Sequence, residues 1–485
     1  MSTDPSLIGD AMQTPTPLLA AGLAAAVLGA FAHPVWGQSR DGRDWSRETA
    51  RTVPDWARDA VVYELFPRAF SPEGNLPGAI DRLDHVRDLG ATVVWLMPIH
   101  PIGAEKRKGT YGSPYSVRDF YAVNPDYGTP DDLKRLVREA HARGLKVILD
   151  VVANHTSWDS VMMATPDLYV RDDQGRVQPP NADWSDVAKL DYANPKTRSY
   201  MIGMMAYWLR EFGVDGFRCD VAGLVPTDFW EEARPALEAV RPDLFLLAEW
   251  STPDLMARAF DADYAWPFHA ALNRVLSLGA PASEIRSAWE EERRNFPTGS
   301  LHLRFSDNHD EKRAIARFGE PAALAAQALV LTMDGIPLIY NGMELGDTAE
   351  SGGPALTERV PLFWPIVARR PEFPAFYREM IGLRHRHEAL RRGETLWVPS
   401  SDPARVVSFV RRIAGEDVLV AVNLSSQPWA GTLEPPPGAA FSEITPTVPV
   451  PQQPGGGTPE RPAHKVELPN LALDAWAFRI FHRAR

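Results

Sequence analysis

The sequence predicts a (β/α)8 TIM barrel with a short insertion after its third strand and a C-terminal antiparallel β-sandwich. Three observations carry this reading. From Val61 onward, apolar strand-like runs alternate with helix-like stretches, the pattern of βα units. Four acidic segments follow one another at or just beyond such runs: Asp150–His155, Gly216–Asp220, Leu246–Trp250 and Phe305–Asp310. After about Leu390 the helical signal ends, and short β-type runs separated by turns replace it. At 485 residues the chain has room for a barrel of roughly 250 residues or more and one accessory domain.

The elements follow in order. Residues 1–50 read as a leader and linker. Within them Leu18–Ala32 is an Ala/Leu-rich run ending in the small-residue pattern Ala30-Phe31-Ala32, as in a cleaved export signal, and it is shorter than the ~20 residues of a membrane span. Asp4, Asp10 and the lack of Lys or Arg ahead of it argue against a signal. Secretion or a periplasmic address is the expectation, with a cytoplasmic one as the alternative.

The barrel is expected over 51–390. Its strands are read at Val61–Phe66, Thr92–Met97, Lys146–Val152, Gly216–Val221, Leu244–Glu249, Ala262–Ala265, Leu301–Ser306 and Ile336–Tyr340. Ala79–Asp88 and Thr197–Glu211 read as helices, and Pro130-Asp131-Asp132 opens another that Gly144 ends. Between about 155 and 192 the rhythm breaks into a polar excursion, the predicted insertion. Over 391–485, the runs Val406–Val410, Val418–Leu424 and Ala475–Phe481 suggest a sandwich, with Pro446–Pro462 a flexible loop within it.

A net charge of −12 argues against nucleic-acid binding, which needs basic surface, and suits a neutral substrate such as a sugar. The single cysteine, Cys219, excludes an intramolecular disulfide and reads as a small buried hydrophobe.

Carboxylates at the ends of parallel strands mark the reactive face of a barrel enzyme, and a pair of them can cleave a glycosidic bond. Asp220 suits a nucleophile, because Arg218 lies on the same face of the strand and can keep it ionised. Glu249 suits an acid/base, its proton held by the neighbouring Trp250. Asp310 beside His309 suits a third acid that braces sugar hydroxyls as positive charge develops. Any one of these residues taken alone would more often be a cap or an ion-pair partner. Four such segments in sequence change that balance.

The four segments resemble the signature regions of the α-amylase family, glycoside hydrolase family 13, from about Val61 to Leu390. The resemblance implies retaining hydrolysis of α-1,4-glucosidic bonds in starch-like glucans or maltooligosaccharides. It makes Asp220 the nucleophile, Glu249 the acid/base and Asp310 the transition-state stabiliser. Arg218 matches the family arginine, His155 and His309 the sugar-binding histidines, Asp150 and Asn154 the structural acid and amide of the first region. Tyr115, in Gly112–Tyr115, would stack on a sugar ring. An α-glucosidase, a 4-α-glucanotransferase or a trehalose synthase would use the same carboxylates, and a non-catalytic glycan-binding or transport-associated homologue is the remaining alternative.

Three positions depart from the family pattern. Ser113 replaces a frequent histidine, and Gly223 and Leu224 replace a Lys-His pair, so contacts beyond the cleaved bond should be less polar. Lys189 stands where calcium-binding members have aspartate, and an ammonium there disfavours calcium and could pair with Asn154. No metal ligand and no required cofactor is therefore assigned. The Lys189 version resembles the branch of neopullulanases and cyclodextrin-degrading enzymes, whose extra N-terminal domain the roughly 50 residues before Pro54 are too few to form.

Overall fold

The computed structural model describes residues 42–349, 351–447 and 468–485. The predicted export signal and most of the predicted 446–462 loop lie outside the described residues.

Eight strands close into a parallel barrel: β1 (Val62–Leu65), β2 (Val93–Leu96), β3 (Lys146–Val151), β4 (Gly216–Cys219), β5 (Phe245–Ala248), β6 (Ala262–Tyr264), β7 (Leu301–Arg304) and β8 (Ile336–Tyr340). Each pairs with its neighbours in sequence, and Val62 opposite Leu338 closes the ring. The two-residue period of a strand sorts the side chains. Val62, Val93, Ile148, Leu247, Leu303 and Leu338 form part of one apolar cluster in the interior. Their odd-parity neighbours, such as Tyr63, Val94, Leu149 and Leu246, join the larger cluster beneath the helices.

Along the inward rows the chemistry changes with height. Two residues beyond Val62, Val93, Ile148, Gly216 and Ala262 stand Glu64, Trp95, Asp150, Arg218 and Tyr264. The barrel is thus apolar at its N-terminal end and polar at its C-terminal rim. Register places Asp150 directly opposite Arg218. Gly216 makes that alignment possible, since a Cβ there would lie 2.0 Å from the Phe245 carbonyl oxygen.

Local signals explain the surrounding helices. Pro130–Ala142 starts with a capping box: the Asp132 amide donates to Thr129 Oγ1, and the Thr129 amide donates to Asp132 Oδ2. The predicted Ala79–Asp88 helix is two, Leu76–Ile80 and Leu83–Leu89, because Arg82 leaves helical geometry at φ −116° and ψ 7°. The polar excursion also has more order than its composition suggests. Strands His155–Ser157 and Val187–Lys189 pair antiparallel within it, with His155 opposite Lys189.

Beyond the barrel, β9 (Glu394–Trp397), β10 (Val406–Ile413), β11 (Glu416–Asn423), β12 (Trp429–Thr432), β13 (Ser442–Glu443), β14 (Asn470–Leu473) and β15 (Phe478–Ala484) form the C-terminal antiparallel domain. The order β9-β10-β11-β15-β13 makes one sheet, and β12-β14 a second. Leu419, Ala421 and Phe481 pack toward Trp429, Leu471 and Leu473. The opposite face, through Phe409, Val418, Val420 and Ile480, joins the large cluster around the barrel.

Gly216→Ala is expected to destabilise the protein by about 3 kcal/mol, because the obstacle is backbone and cannot rotate away. Urea unfolding of the two proteins measures it, and an unchanged midpoint would contradict the packing described.

Candidate active site

At the C-terminal rim a single side chain organises the acids. Arg218 is fully buried. Its Nη1 lies 3.0 Å from Asp150 Oδ1 and 3.2 Å from Asp220 Oδ1, and its Nη2 lies 2.6 Å from Glu249 Oε1. Nε donates to the Tyr264 hydroxyl at 3.2 Å, and the rings of Trp95 and Tyr115 lie 5.0 and 5.6 Å from the guanidinium carbon. One cation thus joins β3, the end of β4 and the end of β5.

A second chain of contacts starts at Asp150. Its Oδ2 accepts from Trp95 Nε1 and from the Tyr115 hydroxyl, both at 3.1 Å. That hydroxyl lies 2.7 Å from His309 Nε2, which is also 3.3 Å from Asp310 Oδ2. His309 Nδ1 contacts Glu64 on β1. Asp220, Glu249, Asp310, Arg218, Tyr115 and His309 therefore converge, as their segments predicted. His155 stands one step out: its ring is 5.6 Å from that of Trp184, and its Nδ1 is 3.1 Å from the Asn154 amide nitrogen.

Burial divides the acids into two kinds, with Asp220 and Glu249 enclosed and Asp310 open to solvent. Burial lifts the Glu249 carboxyl, Arg218 pulls it back, Asp310 pushes it up again, and it settles at about 7. Burial, and then Glu249 beside it, raise Asp220 well above the usual carboxylate range against the pull of Arg218. Arg218 does not keep Asp220 ionised by itself, as the sequence suggested, because its charge is shared among three carboxylates. Both carboxyls are raised, Glu249 to about 7, and Asp220 is raised in part by the neighbouring Glu249 charge. Asp310 is different, with 42% of its side chain exposed. For His309 burial works downward, but Asp310 and Glu64 outweigh it and raise the ring to about 9, so it is a cation at neutral pH. His155, lowered by burial to about 4, is neutral there.

Three contributors escaped the sequence reading. Glu64 is an acid inside an apolar strand at inward parity, a signal that was visible. Tyr264 ends the shortest strand of the barrel and had none. Val221 adopts φ +37° and ψ 47°, a conformation that β-branched residues avoid, and this aims its amide at Glu249 Oε2 at 2.7 Å. The departure at Gly223 also acquires a cause. A Cβ there would lie 2.1 Å from the Trp250 indole, so the ring expected to press on Glu249 rests over Gly223, and overall burial is the leading cause of the Glu249 shift. Leu224 beside it is 41% exposed, an apolar flank to the site.

Among the described residues, two groups place three metal-ligating atoms within 4.8 Å of one another: Glu249, His309 and Asp310 in the site itself, and His387, Glu416 and His482 elsewhere. Lys189, half-buried, lies opposite His155 in the insertion hairpin.

The family profile described as "Alpha amylase, catalytic domain" matches residues 38–173 and 181–359. A cyclomaltodextrinase of Geobacillus thermopakistaniensis is 29% identical over 423 residues, 77% of this chain and 70% of that protein. An intracellular maltogenic amylase of Bacillus subtilis is 27% identical over 422 residues, covering 76% and 68%. The crystal structure of a noncanonic maltogenic α-amylase from Thermotoga neapolitana superposes with a TM-score of 0.76 at 28% identity, covering 88% of this chain and 97% of that one.

The raised Glu249 carboxyl sets a pH dependence. Chemistry that needs one carboxyl protonated and the other ionised loses its acid as pH rises through about 7 and its base as the second carboxyl protonates at low pH. A profile of kcat/KM is expected to be bell-shaped, with its alkaline limb near pH 7. A flat profile to pH 9 would overturn the assignment of Glu249 as the group that titrates near 7.

Proposed function

Since the chain belongs to the α-amylase family, and is a glycosidase acting on α-glucans, we propose that it cleaves α-1,4-glucosidic bonds with retention of configuration. The preferred substrates are starch-like glucans or maltooligosaccharides. The observation that carries this is the pair of buried carboxyls, Asp220 and Glu249, held on the two terminal nitrogens of one guanidinium.

In the proposed sequence, Asp220 attacks the anomeric carbon while Glu249 gives its proton to the leaving glycosidic oxygen. A covalent glycosyl-enzyme results. Glu249, now ionised, takes a proton from water, whose oxygen attacks the anomeric carbon and releases Asp220. Protonation of Glu249 frees Arg218 to neutralise Asp220 more fully, so the proton and the nucleophile's charge are coupled. Asp310 faces the open side and, with the His309 cation, suits hydroxyls of the ring on which positive charge develops. Tyr115, half-buried and tied to Asp150, supplies an aromatic wall.

The acceptor side, with Leu224 exposed and Trp250 over Gly223, favours an apolar rather than ionic grip on the leaving sugars. The names cyclomaltodextrinase and maltogenic amylase support short or cyclic maltodextrins as substrates here too. Calcium is not required in this reading, because a lysine, Lys189, pairs with His155 in the hairpin where calcium-binding members carry an aspartate. No helix among the described residues is long and apolar enough to cross a membrane. The name of the Bacillus subtilis relative favours the cytoplasmic alternative over export.

Asp220→Asn is expected to lower kcat on maltotriose or starch by at least about 10³-fold, with folding preserved. The first product of the wild type should carry the α-anomeric configuration, and an initial β-anomer would refute retention. Longer chains formed from maltotriose would identify a transferase. Activity should also persist in excess chelator at moderate temperature, whereas inactivation reversed only by calcium would refute the metal-free assignment.

A further inference from the structure

Far along the chain from the catalytic segments, three side chains meet at the seam between barrel and C-terminal sheet. His387 stands at the break between helices Glu372–Arg386 and Glu388–Arg392. Glu416 begins β11, and His482 lies on β15 opposite Val418. Glu416 and His482 are therefore diagonal neighbours on one face of the sheet, the face that carries Val418 and Ile480 against the barrel. Tertiary packing alone brings His387 to them.

The geometry is that of a ligand set. Glu416 Oε1 lies 2.7 Å from His387 Nδ1 and 3.4 Å from His482 Nε2, and all three atoms fall within 4.8 Å. Bonds of about 2.0–2.1 Å to a tetrahedral zinc ion separate its ligand atoms by about 3.3–3.4 Å, so small side-chain shifts suffice. The other carboxylate oxygen accepts from the Ala389 amide at 2.8 Å, which fixes the direction of Oε1. The imidazole planes are inclined at 44°, with centroids 5.0 Å apart, rather than stacked face to face. Side-chain exposures of 15%, 17% and 31% leave an approach for an ion and room for water as a fourth ligand.

We propose that His387, Glu416 and His482 bind a divalent transition-metal ion, zinc in the first place, that ties the last barrel helices to the C-terminal sheet. Two imidazoles and one carboxylate suit zinc and fall short of the six or more oxygens that calcium requires. The ion is structural in this assignment and takes no part in glucan cleavage.

The test uses the full chain freed of metal and titrated with zinc sulfate. Bound zinc should fall by one equivalent per chain in His482→Gln relative to wild type, which separates this site from zinc held by Glu249, His309 and Asp310. At a hundredfold excess over Kd, zinc should raise the wild-type Tm by about 2–3 °C more than that of His482→Gln. Magnesium should do neither, and glucan cleavage in metal-free buffer should be equal in the two proteins. Equal zinc stoichiometry and equal Tm response in wild type and variant would overturn the proposal. If His482→Gln fails to fold, the wild type decides: no zinc bound, or no rise in its Tm, overturns it.

Discussion

The active rim depends on one buried cation. Arg218 has no contact with solvent, yet it is surrounded by Asp150, Asp220, Glu249 and the Tyr264 hydroxyl. A guanidinium removed from water is tolerable only when its charge is paired, and carboxylates crowded together are tolerable only beside a cation. Each requirement answers the other. The planar fork also sets distances, since acids bonded to different nitrogens of one guanidinium cannot drift apart independently. The spacing of Asp220 and Glu249 is thereby inherited from the shape of one side chain.

That arrangement is available because the barrel separates stability from chemistry by height. Valine, isoleucine and leucine fill the N-terminal end, and the next inward positions carry charge. A second cation, His309, extends the network to the far side of the ring by linking Glu64 on β1 to Asp310 beyond β7. The strained Val221 serves the same end through the backbone, giving Glu249 an amide partner that no side chain supplies. The C-terminal sheet packs against the outer cluster through Val418, Val420 and Ile480.

Much of this was legible beforehand, for definite reasons. The eight strands were readable because apolar runs bounded by acids and turns recur in order, and even the brief Ala262–Tyr264 strand was located. The acids of the site were readable because each ends such a run. What escaped depends on contacts distant in sequence. Glu64 was passed over within the strand Val61–Phe66, and its role appeared when closure of the ring set it beside His309. Tyr264 became part of the site only by reaching Arg218. The antiparallel pair in the insertion, 155–157 with 187–189, was hidden because its strands lie far apart in a polar stretch and meet only in the fold. The strands β9, β12, β13 and β14 were missed because they lack the alternation with helices that marks the barrel strands.

The sequence by itself determined the barrel, the order of its acids and the family to which they belong, because a two-residue period and residue types at strand ends are local properties. The tertiary structure decided how the acids share charge. Whether Arg218 serves one carboxylate or three, and whether Glu249 holds a proton near neutrality, follow from burial and from distances of about 3 Å between different strands. Such quantities exist only once the ring has closed and water has been excluded, so no local pattern can carry them.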